Sequence, residues 1–211
     1  SKDDTLIDSF IKGIDVHTRT ASEIFAVPAG RVTPEMRRTA KTVVFGVIYG
    51  ISPFGLSGTL SVSREEAKKY IDKYFERHPG VKRYIDATIA EAKQKGYSIT
   101  LAGRRRPIPE ILSQNANTRS LGERLAVNSP IQGTAADIIK IAMINIWRLL
   151  KREGLKTRMI LQVHDELLFE APESEIDAVR EIVRREMENA VELEIPLKVD
   201  IGYGKNWAEA H

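Results

Sequence analysis

The chain has 211 residues, 42% of them hydrophobic and 29% charged, a composition expected of a soluble globular protein with one large domain or two small ones. Lys and Arg outnumber Asp and Glu by 32 to 29, so the net charge of +3 favours a polyanionic partner only where basic residues cluster, as at Arg37-Arg38 and Arg104-Arg105-Arg106. The absence of cysteine excludes disulfides and thiolate metal sites and fits a cytoplasmic protein; the longest apolar run, Val43 to Ile51, is too short to span a bilayer, and no secretory signal opens the chain.

The first half reads as helices. Leu6, Ile7, Phe10 and Ile11 recur at helical spacing between Asp3 and Lys12, and Gly13 closes that helix. A second short helix runs from His17 to Ala26 and stops before Pro28. His17 is a lone histidine, ordinarily a surface or core residue rather than a ligand. Thr33 followed by Pro34 is a start signal, an N-cap with proline at the first helical position. The helix it opens should run to about Tyr49.

Along that helix Arg37, Lys41, Phe45 and Tyr49 fall four residues apart, each step advancing only about 40° around the axis. They therefore share one stripe, two cations followed by two aromatics. A nucleoside triphosphate presents the matching order, anion first and then sugar and base. The same stripe also reads as an ordinary amphipathic helix, with its basic residues in water and Phe45 and Tyr49 in a core. Beyond it, Ser52-Pro53 starts a short helix toward Leu60. Ser63 to Glu66 is a capping box for a helix reaching about Arg77. His78-Pro79-Gly80 breaks that helix, and another runs from Val81 to Lys95, closed by Gly96.

In the middle, Tyr97 to Leu101 has strand propensity, and Gly103 with the arginine run reads as a loop. Thr118 to Asn128 and Thr134 to Arg152 read as two helices broken near Pro130 and Gly133. Arg124, Asn128 and Gln132 form a polar set around that break: amides can read base edges and arginine can hold phosphate, while local capping of the broken ends is the plainer use. The last quarter reads strand, turn, strand, helix, strand: Arg158 to Val163, Leu167 to Glu170, a helix from Ser174 to Ala190, and a final strand from Leu197 to Tyr203. His164-Asp165-Glu166 sits between the first two strands. A tight turn there would carry two adjacent carboxylates suited to a hard cation such as Mg²⁺, or would be a plain polar turn. No glycine-rich phosphate loop and no Gly-x-Ser-x-Gly elbow occur, so bound phosphate would rest on side-chain cations and metal. Helices first and a small antiparallel sheet afterwards make the expected fold class α+β.

Arg37-Arg-Thr-Ala-Lys41-Thr-Val-Val-Phe45-Gly-Val-Ile-Tyr49-Gly50 resembles motif B of the family A DNA polymerases, and Gln162-Val-His164-Asp165-Glu166 resembles their motif C. Asp15-Val-His17, Tyr74 to Arg77, Thr100 to Arg105, Gln132 to Asp137 and Gly204 to Trp207 follow the same family in the same order, so the resemblance spans essentially the whole chain. It implies a mainly helical fingers subdomain over 1–96 and a partial palm over 97–211. Lys41 would contact the phosphate nearest the sugar, Arg37 and His17 the outer phosphates, Phe45 the sugar, and Tyr49 the nascent base-pair position. Asp165, with Glu166 beside it, would bind catalytic magnesium, two ions in the complete site. Arg124, Asn128, Gln132 and His164 would contact primer and template. The reaction would be attack of a primer 3′-hydroxyl on the α-phosphate of a deoxynucleoside triphosphate, with Lys41 a candidate proton donor to the leaving group. Phe at position 45 implies discrimination against sugars lacking a 3′-hydroxyl.

The family's motif A, which supplies a second magnesium-binding Asp, is not in this chain. The chain alone is therefore expected not to polymerise DNA and to need the N-terminal part of a polymerase as partner. Loss of the motif A strand should expose a sheet edge and favour self-association. The first residue is not Met, which points to a processed product or a piece of a larger protein. A non-catalytic nucleic-acid-binding module and a phosphatase-type enzyme using Asp165 and Glu166 are the alternatives.

Overall fold

A computed structural model describes residues 1–210. Most of them are helical, with two small antiparallel sheets, β1–β2 and β3–β4, so the α+β expectation holds. The chain divides into two compact units, Ser1–Ile131 and Gln132 onward. The boundary lies inside a helix, and it does not bear on the fingers and palm division that the resemblance implies at 96/97.

In the first unit, α1 (Asp4–Ile11), α2 (Val16–Phe25), α3 (Pro34–Ile48), α4 (Pro53–Leu60), α5 (Arg64–Arg77) and α6 (Pro79–Lys95) follow one another. Five of their starts are fixed by side-chain oxygens that accept backbone N–H groups: Asp3 from Leu6, Asp15 from His17 and Thr18, Thr33 from Met36, Ser52 from Gly55 and Ser63 from Glu66. Only half of the expected capping box forms, because the Glu66 carboxylate accepts from the Tyr70 hydroxyl at 2.6 Å. The core gathers Ile24, Val43, Val44, Val47, Leu56, Ala67, Tyr74 and Val81. On α3 the buried residues are Ala40, Val43, Val44 and Val47. At about 100° per residue these lie on the side of the helix opposite Phe45 and Tyr49. Both rings are accordingly exposed, by 44% and 46%, which removes the reading in which they fill a core.

A buried polar knot closes the first unit. Asp3, 3% exposed, caps α1, accepts the Gly80 N–H at 2.9 Å and faces His78 Nδ1 at 3.3 Å. The His78 ring, 1% exposed, has Glu23 Oε2 3.4 Å from its Nε2 and the Tyr74 ring tilted 49° against it with centroids 4.6 Å apart. Gly80 is required here: a Cβ would lie 2.7 Å from the Asp3 Cα.

The arginine run is not wholly a loop. Arg105–Pro107 form β2, pairing antiparallel with β1 (Tyr97–Ile99). Gly103, at φ +86°, turns the chain between them, and the Arg105 guanidinium stacks 4.9 Å over Tyr97. The two helices expected around Pro130 are one, α7 (Ala116–Arg152), with Pro130 inside it. An interior proline costs roughly 3 kcal/mol of helix propensity. Burial on either side outweighs it: Ala126 packs with Ala92, Ile108 and Ile111, while Ala142, Ile146 and Leu150 pack with α8 (Ile176–Glu188). The Ser129 hydroxyl donates to the Leu125 carbonyl at 2.6 Å within the same stretch.

In the second unit, β3 (Arg158–Val163) and β4 (Glu166–Glu170) pair with Val163 opposite Glu166, so His164 and Asp165 alone make the turn. The register shifts between Met159 and Leu161, and β3 has β4 as its single ladder neighbour among the described residues. The strand expected over Leu197 to Tyr203 is absent. Leu197, Val199 and Ile201 are half-buried and alternate with exposed neighbours as a strand would. Among the described residues no strand lies alongside to complete a ladder, and the Val199 N–H donates instead to Glu188 Oε1 at 3.1 Å. A last short helix, α9 (Trp207–Ala210), follows. No helix among the described residues is long and apolar enough to cross a membrane.

Candidate functional site

The first unit brings His17, Arg37, Lys41, Phe45 and Tyr49 together. Pro34 and the Thr33 cap set the start of α3, and the valine face turned to the core fixes its rotation. Phe45 and Tyr49 stack nearly parallel, 13° apart with centroids at 6.4 Å. The Lys41 ammonium stands 5.9 Å from the Phe45 centroid. His17, at the start of α2, packs its ring 5.9 Å from Phe45 on the same side. Arg37 is already engaged: its Nε donates to Asp15 Oδ2 at 2.6 Å and its Nη2 to Oδ1 at 3.2 Å. That bidentate bond, above all, holds the Asp15 carboxyl far below the usual carboxylate range and raises Arg37.

Burial pushes His17 below the ordinary imidazole value of about 6.5; Asp15 opposes this, and Arg37 and Lys41 add to it. Its Nδ1 is buried with no hydrogen-bond partner. A base depressed in the folded state takes its proton later than in the unfolded chain. Acidification through the unfolded value should therefore lower stability, and the ring is neutral at pH 7. Following the His17 Cε1–H resonance by NMR against pH should give a midpoint under 6.5, displaced upward by inorganic triphosphate. A midpoint at or above 6.5 without added anion would contradict the desolvated ring.

A groove of about 750 Å³ opens beside the rail, lined by α3, α4 and the first part of α7. Lys41, Phe45 and Tyr49 form part of its wall, and Arg124 joins them from α7. Gly50, at φ +72°, makes the approach of Arg124 possible, since a Cβ there would lie 2.9 Å from the Arg124 Cγ. Arg38 also lines the groove, while Arg37 and His17 do not. Arg38, noted in the sequence only as half of a basic pair, falls off the ladder of four-residue steps. Steps of four, three and four, through Arg38, Thr42, Phe45 and Tyr49, trace an equally good helical face.

Farther along α7, Asn128 has its Oδ1 buried with no hydrogen-bond partner, and Gln132, exposed, begins the second unit. In the second unit, His164, Asp165 and Glu166 are exposed at the hairpin tip. His164 occupies the left-handed region at φ +53°, and the Gln162 side-chain amide donates to its carbonyl at 3.1 Å. No group of three or more His, Cys, Asp or Glu able to hold a metal occurs among the described residues. Asp165 and Glu166 supply the hard oxygen donors that Mg²⁺ takes, in a number that leaves positions for phosphate and water. They fit one part of a magnesium ligand set.

The family model described as DNA polymerase family A matches residues 1–209. DNA polymerase I of Caldicellulosiruptor bescii is 53% identical over 209 residues, covering 99% of this chain and 25% of that protein. DNA polymerase I of Bacillus subtilis is 52% identical over 210 residues, covering 100% of this chain and 24% of that protein. The POL domain of Pol1 from M. smegmatis, solved in complex with DNA primer-template and dNTP, superposes with a TM-score of 0.94 at 47% identity, over 99% of this chain and 37% of that one. The chain thus spans about a quarter of the length of these curated relatives.

Proposed function

Because the chain belongs to DNA polymerase family A, we propose that it is the nucleotide-selecting and primer-terminus portion of a template-directed DNA polymerase, with fingers over 1–96 and part of the palm over 97–211. The observation that carries the proposal is the rail of α3: Lys41, Phe45 and Tyr49 lie on the side of the helix opposite its buried valines, and among the described residues no carboxylate neutralises Lys41. A binding module without chemistry has no use for that combination.

In this reading Lys41 Nζ neutralises the phosphate nearest the sugar, and Arg37 with His17 takes the outer phosphates. Phe45 packs on the sugar, and Tyr49, at the end of α3, tests the shape of the new base pair. The primer 3′-oxygen forms a bond to the α-phosphorus, the bond from that phosphorus to the bridging oxygen breaks, and pyrophosphate leaves. Lys41 Nζ gives the leaving oxygen a proton in this reading. Asp165, with Glu166 beside it, would hold Mg²⁺, which when bound supplies Lewis-acid polarisation and activates the 3′-hydroxyl. Arg124, Asn128, Gln132 and His164 contact primer and template. Minor-groove acceptors are alike in all correct pairs, so amides there check geometry without reading sequence. The two carboxylates of the tip are too few for a complete ligand set, so the isolated chain binds substrates without extending a primer, and it works in the cytoplasm alongside the rest of a polymerase.

The test is a calorimetric titration of the 211-residue chain with a deoxynucleoside triphosphate, with and without primer–template. Lys41→Ala should weaken binding about 10- to 100-fold, the effect of losing a hydrogen bond to a charged group. Unchanged affinity would remove the rail from the nucleotide site. Release of phosphate without DNA would favour the phosphatase alternative, and DNA binding with no triphosphate binding would favour the non-catalytic module.

A further inference from the structure

Gly204 to Trp207 stands outside the proposed nucleotide and DNA contacts, yet it is closely built. The Asn206 Oδ1 accepts the Glu209 N–H at 3.1 Å, and the Asn206 amide donates to Glu209 Oε1 at 2.6 Å. Glu209 Oε2 in turn accepts the Lys205 N–H at 3.1 Å. This reciprocal capping fixes the start of α9 and puts Trp207 at its first position. Gly204 belongs to the same device, since a Cβ there would lie 2.5 Å from the Glu209 Cβ. The indole so placed lies against the foot of the β3–β4 hairpin. Val163, Glu166, Leu167, Leu168 and Trp207 enclose a crevice of only about 20 Å³ there, room for one water and no more.

Side chains alternate along a strand, and Leu167 and Phe169 are turned to the core built with α7 and α8. Glu166 and Leu168 therefore share the other face with Val163, the cross-strand partner of Glu166. Leu161, opposite Leu168 on that face, is 45% exposed, whereas Val163 and Leu168 are half-buried. The difference is Trp207, which covers the end next to the turn. Val163 and Glu166 are the rung that closes the two-residue turn, so the indole packs on the base from which His164 and Asp165 project. The Asp165 carboxylate has no hydrogen-bonding or ionic partner among the described residues. Its direction is inherited from the turn rather than held by bonds of its own. On the β3 side the Gln162 amide ties the turn through the His164 carbonyl. On the β4 side the packing of Trp207 against Glu166 does the corresponding work.

We infer that Trp207 is a positioning residue for the two carboxylates of the hairpin tip: by clamping the Glu166 stem and the Val163–Glu166 rung, it fixes the direction in which Asp165 and Glu166 meet Mg²⁺. The inference rests on the polymerase reading, which makes the tip a metal site. Groups that orient metal ligands from behind commonly change metal affinity about 10- to 100-fold when removed.

Two measurements test it. In the 211-residue chain, ¹⁵N relaxation of the His164, Asp165 and Glu166 amides reads the order of the tip with no metal added. Trp207→Ala should lower the heteronuclear NOE of these three residues and leave α8 unchanged, and Trp207→Phe, which keeps an aromatic ring, should restore most of the order. In a polymerase carrying this segment, single-turnover primer extension is followed against Mg²⁺ concentration. Trp207→Ala should raise the half-saturating Mg²⁺ about ten-fold while the rate at saturating Mg²⁺ changes little. Unchanged tip order, unchanged magnesium dependence, or a loss of order spread over the whole second unit would overturn the inference, the last by showing that the indole only fills a hole. Asp165→Asn in the same extension assay separates the two levels of the reading. Normal extension by Asp165→Asn would remove the metal site and the polymerase reading of the tip with it. Loss of extension in Asp165→Asn beside a silent Trp207→Ala would overturn the role of Trp207 alone.

Discussion

Replacing Asp165 with Asn in a polymerase carrying this segment is expected to lower the rate of primer extension by about three orders of magnitude or more. The hairpin should survive the change. Asp165 is exposed in a turn of two residues fixed by the Val163–Glu166 pairing, and Asn is at home in such turns. The amide keeps the shape and loses the charge that a hard cation requires. Polarisation of a phosphoryl oxygen is worth several kcal/mol, and about 4 kcal/mol is a thousand-fold in rate. Single-turnover extension at saturating nucleotide and magnesium reads the chemical step directly. A loss smaller than ten-fold, in protein with unchanged melting, would take Asp165 out of the metal site.

The second large effect is structural. Asp3→Ala should cost the first unit about 3–5 kcal/mol, in the range found when one member of a buried pair is removed. Three interactions disappear together. The α1 cap is lost, worth about 1 kcal/mol. The buried Gly80 N–H is left without its acceptor, a further 1–3 kcal/mol or so. The His78 ring keeps Glu23 as its one remaining carboxylate. Asp3→Asn retains the size and much of the capping and should cost less. Urea titrations of the two variants, followed by the fluorescence of a probe in the first unit, measure the difference. Equal stabilities for Asp3→Ala and the parent would show that the knot does not hold the α5–α6 break.

What could be read from sequence divides along a physical line. Helix starts were legible because their signals are local: Thr33-Pro34, Ser52-Pro53 and Ser63 fix hydrogen bonds within three residues. The hairpin at His164-Asp165 was legible for the same reason. Features decided by distant partners were not. Pro130 looks like a break until the burial of Ala126 on one side and Ala142 on the other is weighed. Leu197 to Tyr203 alternates correctly, yet a ladder needs a neighbour that no local pattern supplies. The rail itself was visible as spacing, but two readings stayed open until the valine face showed which side of α3 is covered. Arg38 was visible as half of a basic pair but not as a groove residue, because a four-residue step skips it, and the clamp of Arg37 on Asp15 was invisible because its members are 22 residues apart.

The Asp15 carboxylate has a consequence for any phosphate that reaches Arg37. The guanidinium waits in the company of a resident anion, so arrival is an exchange of counter-ions rather than the filling of a vacancy. With the two side chains 46% and 41% exposed, the bond given up is one that water already screens. A multiply charged visitor recovers that easily, whereas a singly charged one gains little by the trade. If Arg37 receives the outer phosphates as proposed, Asp15 is a built-in competitor that favours long, highly charged tails over short ones.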